Sequence, residues 1–335
     1  MKPGGVFALA AILLAVIAGF VPVVAIGLSE GLTRADPYLF RVVRFTLLQA
    51  ALSTLISILL AVPIARALAR QRFAGRFLLV RLFMLPLALP AIVAILGIVT
   101  VYGAGGWLGG VFGLYGLTGI LIAHVFFNAP LAARLILARL ETIPPESFRL
   151  GAGLGFRGAQ VFRLIEWPQI RPALAGIATL IFLLCTASFA VVLTLGGGPQ
   201  ATTLEVAIYQ ALRFDFDPAR ATALALVQVA ICCALALYAR RFAGLALGAP
   251  PLRRTQIRYD GTAPLARIGD ALILLLSLGI VLPPVAAVAI SGNPFATPAV
   301  TVTESRATLT SYRNFVRTLV PAKKATIVVQ TRSGK

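Results

Sequence analysis

Acidic residues are scarce in this chain: 11 Asp and Glu stand against 30 Lys and Arg in 335 residues, with one histidine and three cysteines. Each shortage excludes something. Cys185, Cys232 and Cys233 lie inside apolar runs, lack metal-ligand spacing, form no disulfide framework, and read as small buried hydrophobes. One histidine and unclustered carboxylates give no catalytic constellation, so no catalytic residue, no metal ligand and no enzyme activity are assigned. No GxxxxGK[ST] loop is present, so the chain itself is assigned no ATP site and no cofactor. Charged residues make up only 12% of the chain, while 59% are hydrophobic. Soluble domains are about a quarter charged, so lipid is the expected solvent. The net charge of +19 does not point to nucleic acid, because the basic residues sit in clusters between apolar runs, without a basic stripe interleaved with aromatics.

A helix needs about 20 apolar residues to cross a bilayer. Stretches 6–28, 45–65, 82–102, 114–133, 173–195, 221–239 and 271–291 qualify, which predicts an all-α, polytopic membrane helix bundle of six to seven spans. The first stretch follows Lys2 but is too long for a cleaved signal peptide and is expected to be retained. Basic clusters follow spans 2, 4 and 6: Arg66 to Arg81, Arg134 to Arg171, and Arg240 to Arg267. The loop after span 3 is uncharged, and the one after span 5 is balanced. The positive-inside rule then places the N-terminus and the even loops in the cytoplasm of a bacterial inner membrane. Pro86 and Pro90 in span 3, and Pro283 and Pro284 in span 7, predict kinks. The expected organisation is a first helix and outer loop over 1–44, a transmembrane domain over 45–245, a linker and seventh helix over 246–292, and a basic tail over 293–335. The tail breaks the charge alternation and is read as disordered or non-native sequence.

The most informative segment is the cytoplasmic loop 141–172, which is long for a bundle. Pro144 and Pro145 can open a short helix, and Glu146 suits the positive end of its dipole. Gly151, Gly153 and Gly155 permit tight turns. Val161, Phe162, Leu164 and Ile165 give an apolar face, and Pro168 is expected to end the unit before span 5. A compact, basic helix–turn–helix of this kind suits a groove on a cytoplasmic partner, or equally the headgroup layer.

Arg149-Leu-Gly-Ala-Gly-Leu-Gly155, followed by Ile165-Glu-Trp-Pro168, resembles the loop signature of binding-protein-dependent ABC importer permeases. That signature reads EAA-xxx-G, then nine residues, then I-x-L-P. Arg149 stands where the family has Glu, Leu150 and Gly151 replace the alanines, and Trp167 replaces Leu. The run Tyr115 to Asn128, the run Phe162 to Pro168, and the run Ser188 to Thr203 resemble permeases of thiamine and thiamine pyrophosphate importers. Leu204 to Gln210 and Asp217 to Ala221 continue the likeness, which covers roughly residues 38–290. The resemblance implies a type I importer permease of the MetI-like fold. It implies that Glu146, Arg149, Leu150, Gly151, Gly155, Phe156, Ile165 and Pro168 couple to a dimeric cytoplasmic ABC ATPase subunit that carries the ATP. It also implies a periplasmic thiamine-binding protein and a second permease half or second copy. Those permeases fuse two six-helix halves, so this chain is expected to be truncated or frame-shifted after about residue 292, or to have its other half on a separate polypeptide. The alternatives are the same fold importing another substrate, such as ferric iron or a small anion, and a non-functional membrane fragment.

Intramembrane polar groups are the remaining functional candidates. No Asp or Glu lies centrally in spans 1–6, which argues against a proton-coupled transporter. Gln49, Ser53 and Ser57 are spaced by four and share a helix face, as do His124 and Asn128. With Thr186, Ser188 and Gln228 they either bind helices to one another or line a translocation path.

Overall fold

The computed structural model describes residues 37–106, 108, 113–240 and 264–290. The stretch 6–28, the linker to 263 and the tail 293–335 lie outside the described residues. Twelve helices are described: α1 (Pro37–Arg70), α2 (Arg76–Leu82), α3 (Leu85–Ala88), α4 (Ala91–Tyr102), α5 (Leu117–Leu140), α6 (Pro145–Gly153), α7 (Gly158–Val161), α8 (Trp167–Thr186), α9 (Phe189–Leu195), α10 (Leu204–Arg213), α11 (Pro218–Arg240) and α12 (Pro264–Ile290). No strand occurs among the described residues. Five helices are long and apolar enough to cross a membrane, and a bent pair makes a sixth candidate. The expected all-α membrane bundle is the observed one.

The stretches 45–65 and 221–239 each fall within one long helix, stretch 114–133 does so from Leu117, and stretch 271–291 does so up to Ile290. Pro283 and Pro284 do not interrupt α12. The other two stretches are corrected. Stretch 82–102 is not one continuous helix: Arg76–Ala88 and Ala91–Tyr102 meet at 108°, a break sharper than the expected kink. Pro90 is the cause, since a residue before proline is driven out of the helical region and Leu89 is extended, at ψ 138°. Stretch 173–195 is not one span either, because α8 stops at Thr186 and α9 begins at Phe189. The balanced segment after it holds α10, whose first backbone N–H is capped from outside by Thr46 Oγ1 at 3.0 Å.

Lipid gives helices no hydrophobic reason to associate, so close packing of small residues has to do it. The contact between α1 and α5 is built that way, with Ala50, Ala61, Ala65 and Ala67 buried in one cluster with Ala132 and Ala133. α8 packs on both helices, and α9 packs on α5 and α4. On the other side α12 lies against α4 and α1. α12 approaches closely at Gly97, where a Cβ would come within 2.3 Å of the Pro284 carbonyl oxygen. Outward-facing Leu55, Leu59, Ile92, Leu272, Leu275 and Leu276 are exposed, as a lipid-facing surface requires.

Gly97→Ala is therefore expected to push α4 from α12 and cost about 1–3 kcal/mol. Thermal unfolding of the purified chain in detergent should show a lowered midpoint. Gly279→Ala on α12, which meets open space, should leave the midpoint unchanged or raise it slightly. Equal behaviour of the two variants would contradict the contact.

Candidate functional site

Two constellations hold the sequence-derived candidates. The first lies in loop 141–172. Pro145 opens α6, with Pro144 at its N-cap and Glu146 in its first turn, as the sequence indicated. The helix ends in a Schellman turn. The Gly155 N–H donates to the Ala152 carbonyl at 3.0 Å, and the Phe156 N–H to the Gly151 carbonyl at 2.8 Å. Gly155 sits at φ +73°, the left-handed region that suits glycine. Gly151 is buried, and a Cβ there would lie 3.0 Å from Ile165 Cδ1 and 3.2 Å from Phe156 Cδ2. Gly151, Phe156 and Ile165 are thus brought together inside the loop, behind α6. Glu146, Arg149 and Leu150 are on its outer face, where they line an open groove with Gly153 and Leu154. Leu150 is 69% and Leu154 72% exposed, and such large apolar side chains side by side mark a contact surface.

Pro168 does not end the unit, contrary to expectation. The chain re-enters at Gly158 and stays helical to Thr186, passing through a π-helical turn, Phe162–Glu166. A proline ring clashes with the carbonyl four residues earlier in a regular helix. The widened turn just before Pro168 accommodates the ring. It also turns Glu166 fully inward, where it pairs with Arg66 of α1. Arg66 also donates to the Gly158 carbonyl and stacks over the Phe162 ring at 4.7 Å.

Sequence reasoning missed this set of ion pairs, because the arginines were read as topology signals alone. Arg70 pairs with the buried Asp270 of α12, which also accepts from Gln71 Nε2 at 2.7 Å. Arg76 pairs with Glu141 at 2.8 Å. The available signal was the scarcity of acids, three of which stand at the ends of spans next to the arginine clusters.

The second constellation surrounds the gap at Ala187 and Ser188. A helix end leaves carbonyls that need partners. The Cys185 carbonyl accepts from Gln49 Nε2 of α1 at 3.0 Å, and the Thr186 carbonyl from Gln228 Nε2 of α11 at 3.3 Å. His124 of α5 sits between two hydroxyls, with Ser53 Oγ 2.9 Å from Nδ1 and Ser188 Oγ 2.5 Å from Nε2. A neutral imidazole has one donor and one acceptor nitrogen, so one serine donates and the other accepts. Asn128 Nδ2 points at Cys185 Sγ, 3.3 Å away. Gln49, Ser53, His124, Asn128, Thr186, Ser188 and Gln228, seven of the eight polar candidates, therefore converge on one break. Gln49, Ser53, His124, Asn128, Thr186 and Gln228 are buried, and Ser188 is half-buried. The geometry binds helices together around the gap. Gln49 Oε1, Gln228 Oε1 and Ser57 Oγ are buried without a hydrogen-bond partner among the described residues.

Residues 53–244 match the family described as "binding-protein-dependent transport system inner membrane component". The chain is 50% identical over 267 residues to the thiamine transport system permease protein ThiP of Salmonella typhimurium, covering 77% of this chain and 49% of that protein. It is 49% identical to ThiP of Escherichia coli over 267 residues, with the same coverage. The chain thus spans about half the length of the curated relatives it matches. It is 32% identical to the sulfate transport system permease protein CysW of Synechococcus elongatus over 154 residues, 43% of this chain and 54% of that one. Among solved structures, a bacterial ABC transporter involved in the import of the acidic polysaccharide alginate superposes with a TM-score of 0.53 at 16% identity. That match covers 72% of this chain and 96% of that chain. The likeness establishes the shared fold.

Two matched pairs of variants check the site. Gly155→Ala puts a side chain into the left-handed region at about 1–2 kcal/mol, so the Gly155 and Phe156 amides should exchange hydrogen faster. Gly153→Ala, in open space within α6, should leave their exchange unchanged or slow it. At the break, Gln49→Leu strands the Cys185 carbonyl and should destabilise the purified chain by about 1–3 kcal/mol. Ser57→Ala removes an unpartnered hydroxyl and should be neutral or stabilising.

Proposed function

Since the chain belongs to the family of binding-protein-dependent transport system inner membrane components, we propose that it forms the thiamine-translocating pathway of an ATP-driven importer. The observation that carries this reading is an identity near one half to thiamine permeases over 77% of this chain. The chain is a transport component. ATP hydrolysis falls to a separate, dimeric cytoplasmic ABC ATPase, and capture of thiamine or its phosphates to a periplasmic binding protein. A second permease half, or a second copy, completes the pathway. The arginine-rich ends of α1 and α8 face the cytoplasm, and the N-terminus is on that side, by the positive-inside rule.

In this reading α6 is the element that docks on the ATPase. Leu150 and Leu154 enter an apolar part of the partner's groove, flanked by Glu146 and Arg149. The Schellman turn at Gly155 and the packing of Gly151 against Phe156 and Ile165 make α6 a stiff unit, and Pro168 sets the π turn that carries it into α8. The cluster at the α8–α9 break belongs to the translocation path. It is closed as described, and parting α8 from α9 at Ala187 and Ser188 would turn the amide oxygens of Gln49 and Gln228 toward the lumen. These oxygens, with the carbonyl end of α8, give partial negative charge without a carboxylate. That suits brief passage of a cation, with selectivity left to the binding protein. The likeness to CysW favours a second reading, the same fold carrying a small oxyanion.

The test is co-purification with the ATPase encoded beside it, followed by hydrolysis and uptake assays in proteoliposomes. The wild-type chain, with its second half and binding protein present, should retain the ATPase, and thiamine should stimulate hydrolysis. Leu150→Asp with Leu154→Asp should lose the ATPase by weakening binding about 100-fold or more, as expected for buried anchors. Stimulation by sulfate but not thiamine would move the assignment to the second reading.

A further inference from the structure

Loop 141–172 is anchored at both ends to the same helix. At its start, Glu141 pairs with Arg76, whose Nε donates at 2.8 Å to the Leu68 carbonyl in the last turn of α1. At its end Arg66 reaches three points of the re-entering segment: the Gly158 carbonyl, the Phe162 ring and the Glu166 carboxylate. These are spaced by four, so one guanidinium spans two turns along one face of that segment. Arg70, one turn beyond Arg66, ties α1 to Asp270 at the start of α12.

We infer that Arg66 and Glu166 form a positioning pair that transmits displacement of α6 into α1, and through Arg70 and Asp270 into α12. The inference rests on the proposed role of α6 as the docking element. Its argument is energetic. A carboxylate taken wholly out of water is costly even when paired, and an apolar pair of similar volume often serves stability as well or better. What the ion pair adds is direction: the planar guanidinium fork fixes Glu166 and Gly158 relative to α1 in one geometry. Without it, the π turn, which is the widest and weakest part of the 158–186 helix, would flex when α6 is pushed. With it, the push moves α1, the helix that also carries Gln49 and Ser53 to the α8–α9 break. The pair therefore joins the two constellations through one rigid element, and that is the physical form coupling between distant sites requires.

The test uses the intact importer in nanodiscs, with its ATPase, binding protein and complete permease, comparing wild type with Glu166→Gln, Arg66→Gln, Arg66→Lys and the Arg66→Gln/Glu166→Gln double variant. The ATPase should co-purify with every variant at the wild-type ratio. Thiamine transported per ATP hydrolysed should fall about ten-fold in Glu166→Gln and Arg66→Gln, with the double variant no worse than either single one. Arg66→Lys keeps the charge but not the fork, and should give an intermediate ratio. An unchanged ratio in Glu166→Gln overturns the inference. So does a lowered thermal midpoint or yield with an unchanged ratio, because that pattern marks a purely structural pair. Failure of the wild-type chain to retain the ATPase overturns the proposed function, and the inference with it.

Discussion

Inside a bilayer a backbone carbonyl that loses its helical partner finds no water to replace it, and the arrangement of this bundle follows from that constraint. α8 stops at Thr186 in the middle of a run long enough to continue. Two of the carbonyls released there are taken up by glutamine amides from α1 and α11, and the Ser188 hydroxyl within the gap by a histidine from α5. Three helices distant in sequence are pinned to one point. The break is thus what sets the relative positions of α1, α5, α8 and α11. It also explains why such an apolar chain keeps a buried glutamine or histidine on each of three helices.

At the arginine-rich end a second kind of partner does the same work. The guanidinium groups there are too large to bury alone and too numerous to be matched one for one by 11 acids. Three acids are placed where they join elements: Glu141 where α5 ends, Glu166 in the π turn, Asp270 in the first turns of α12. Each is held by an arginine in or just after α1. Arginines that the sequence offers as topology signals thus also tie helices together. The unmatched majority supplies the positive surface, while the matched few supply the geometry.

Much of this was legible in the sequence where the cause is local. Four apolar stretches became helices because hydropathy sums over neighbouring side chains. Pro145, Glu146 and Gly155 announced the start and end of α6, because a cap or a left-handed turn is decided within a few residues. The extended Leu89 was implicit in Pro90, although the resulting angle between α3 and α4 was not. What could not be read depends on distance. Residues 186–188 contain no proline and look like a continuing helix; they break because Gln49, 136 positions from Cys185, arrives to cap the released carbonyl. Glu166 looked like one more loop carboxylate, since its partner Arg66 is 100 positions away. The π turn followed from neither residue alone, but from Pro168 needing room while Glu166 needed to face inward.

The polar candidates illustrate how the two readings of intramembrane polarity meet. Hydrogen bonds between helices in lipid are worth only about 1 kcal/mol each, so a cluster built from them is strong enough to hold one arrangement of the helices and weak enough to be exchanged. Its serines and histidine can trade one another for water without leaving a charge unpaired, because each is both donor and acceptor. The glutamines already hold an unpartnered oxygen each, which makes the closed arrangement less than fully satisfied. A cluster of this composition can therefore rearrange at little cost. An ion pair in the same place could not, since separating buried charges costs several times more. The division observed among the described residues puts the buried ion pairs at the arginine-rich end of α1 and neutral donors and acceptors at the break, stiff links at one place and soft ones at the other.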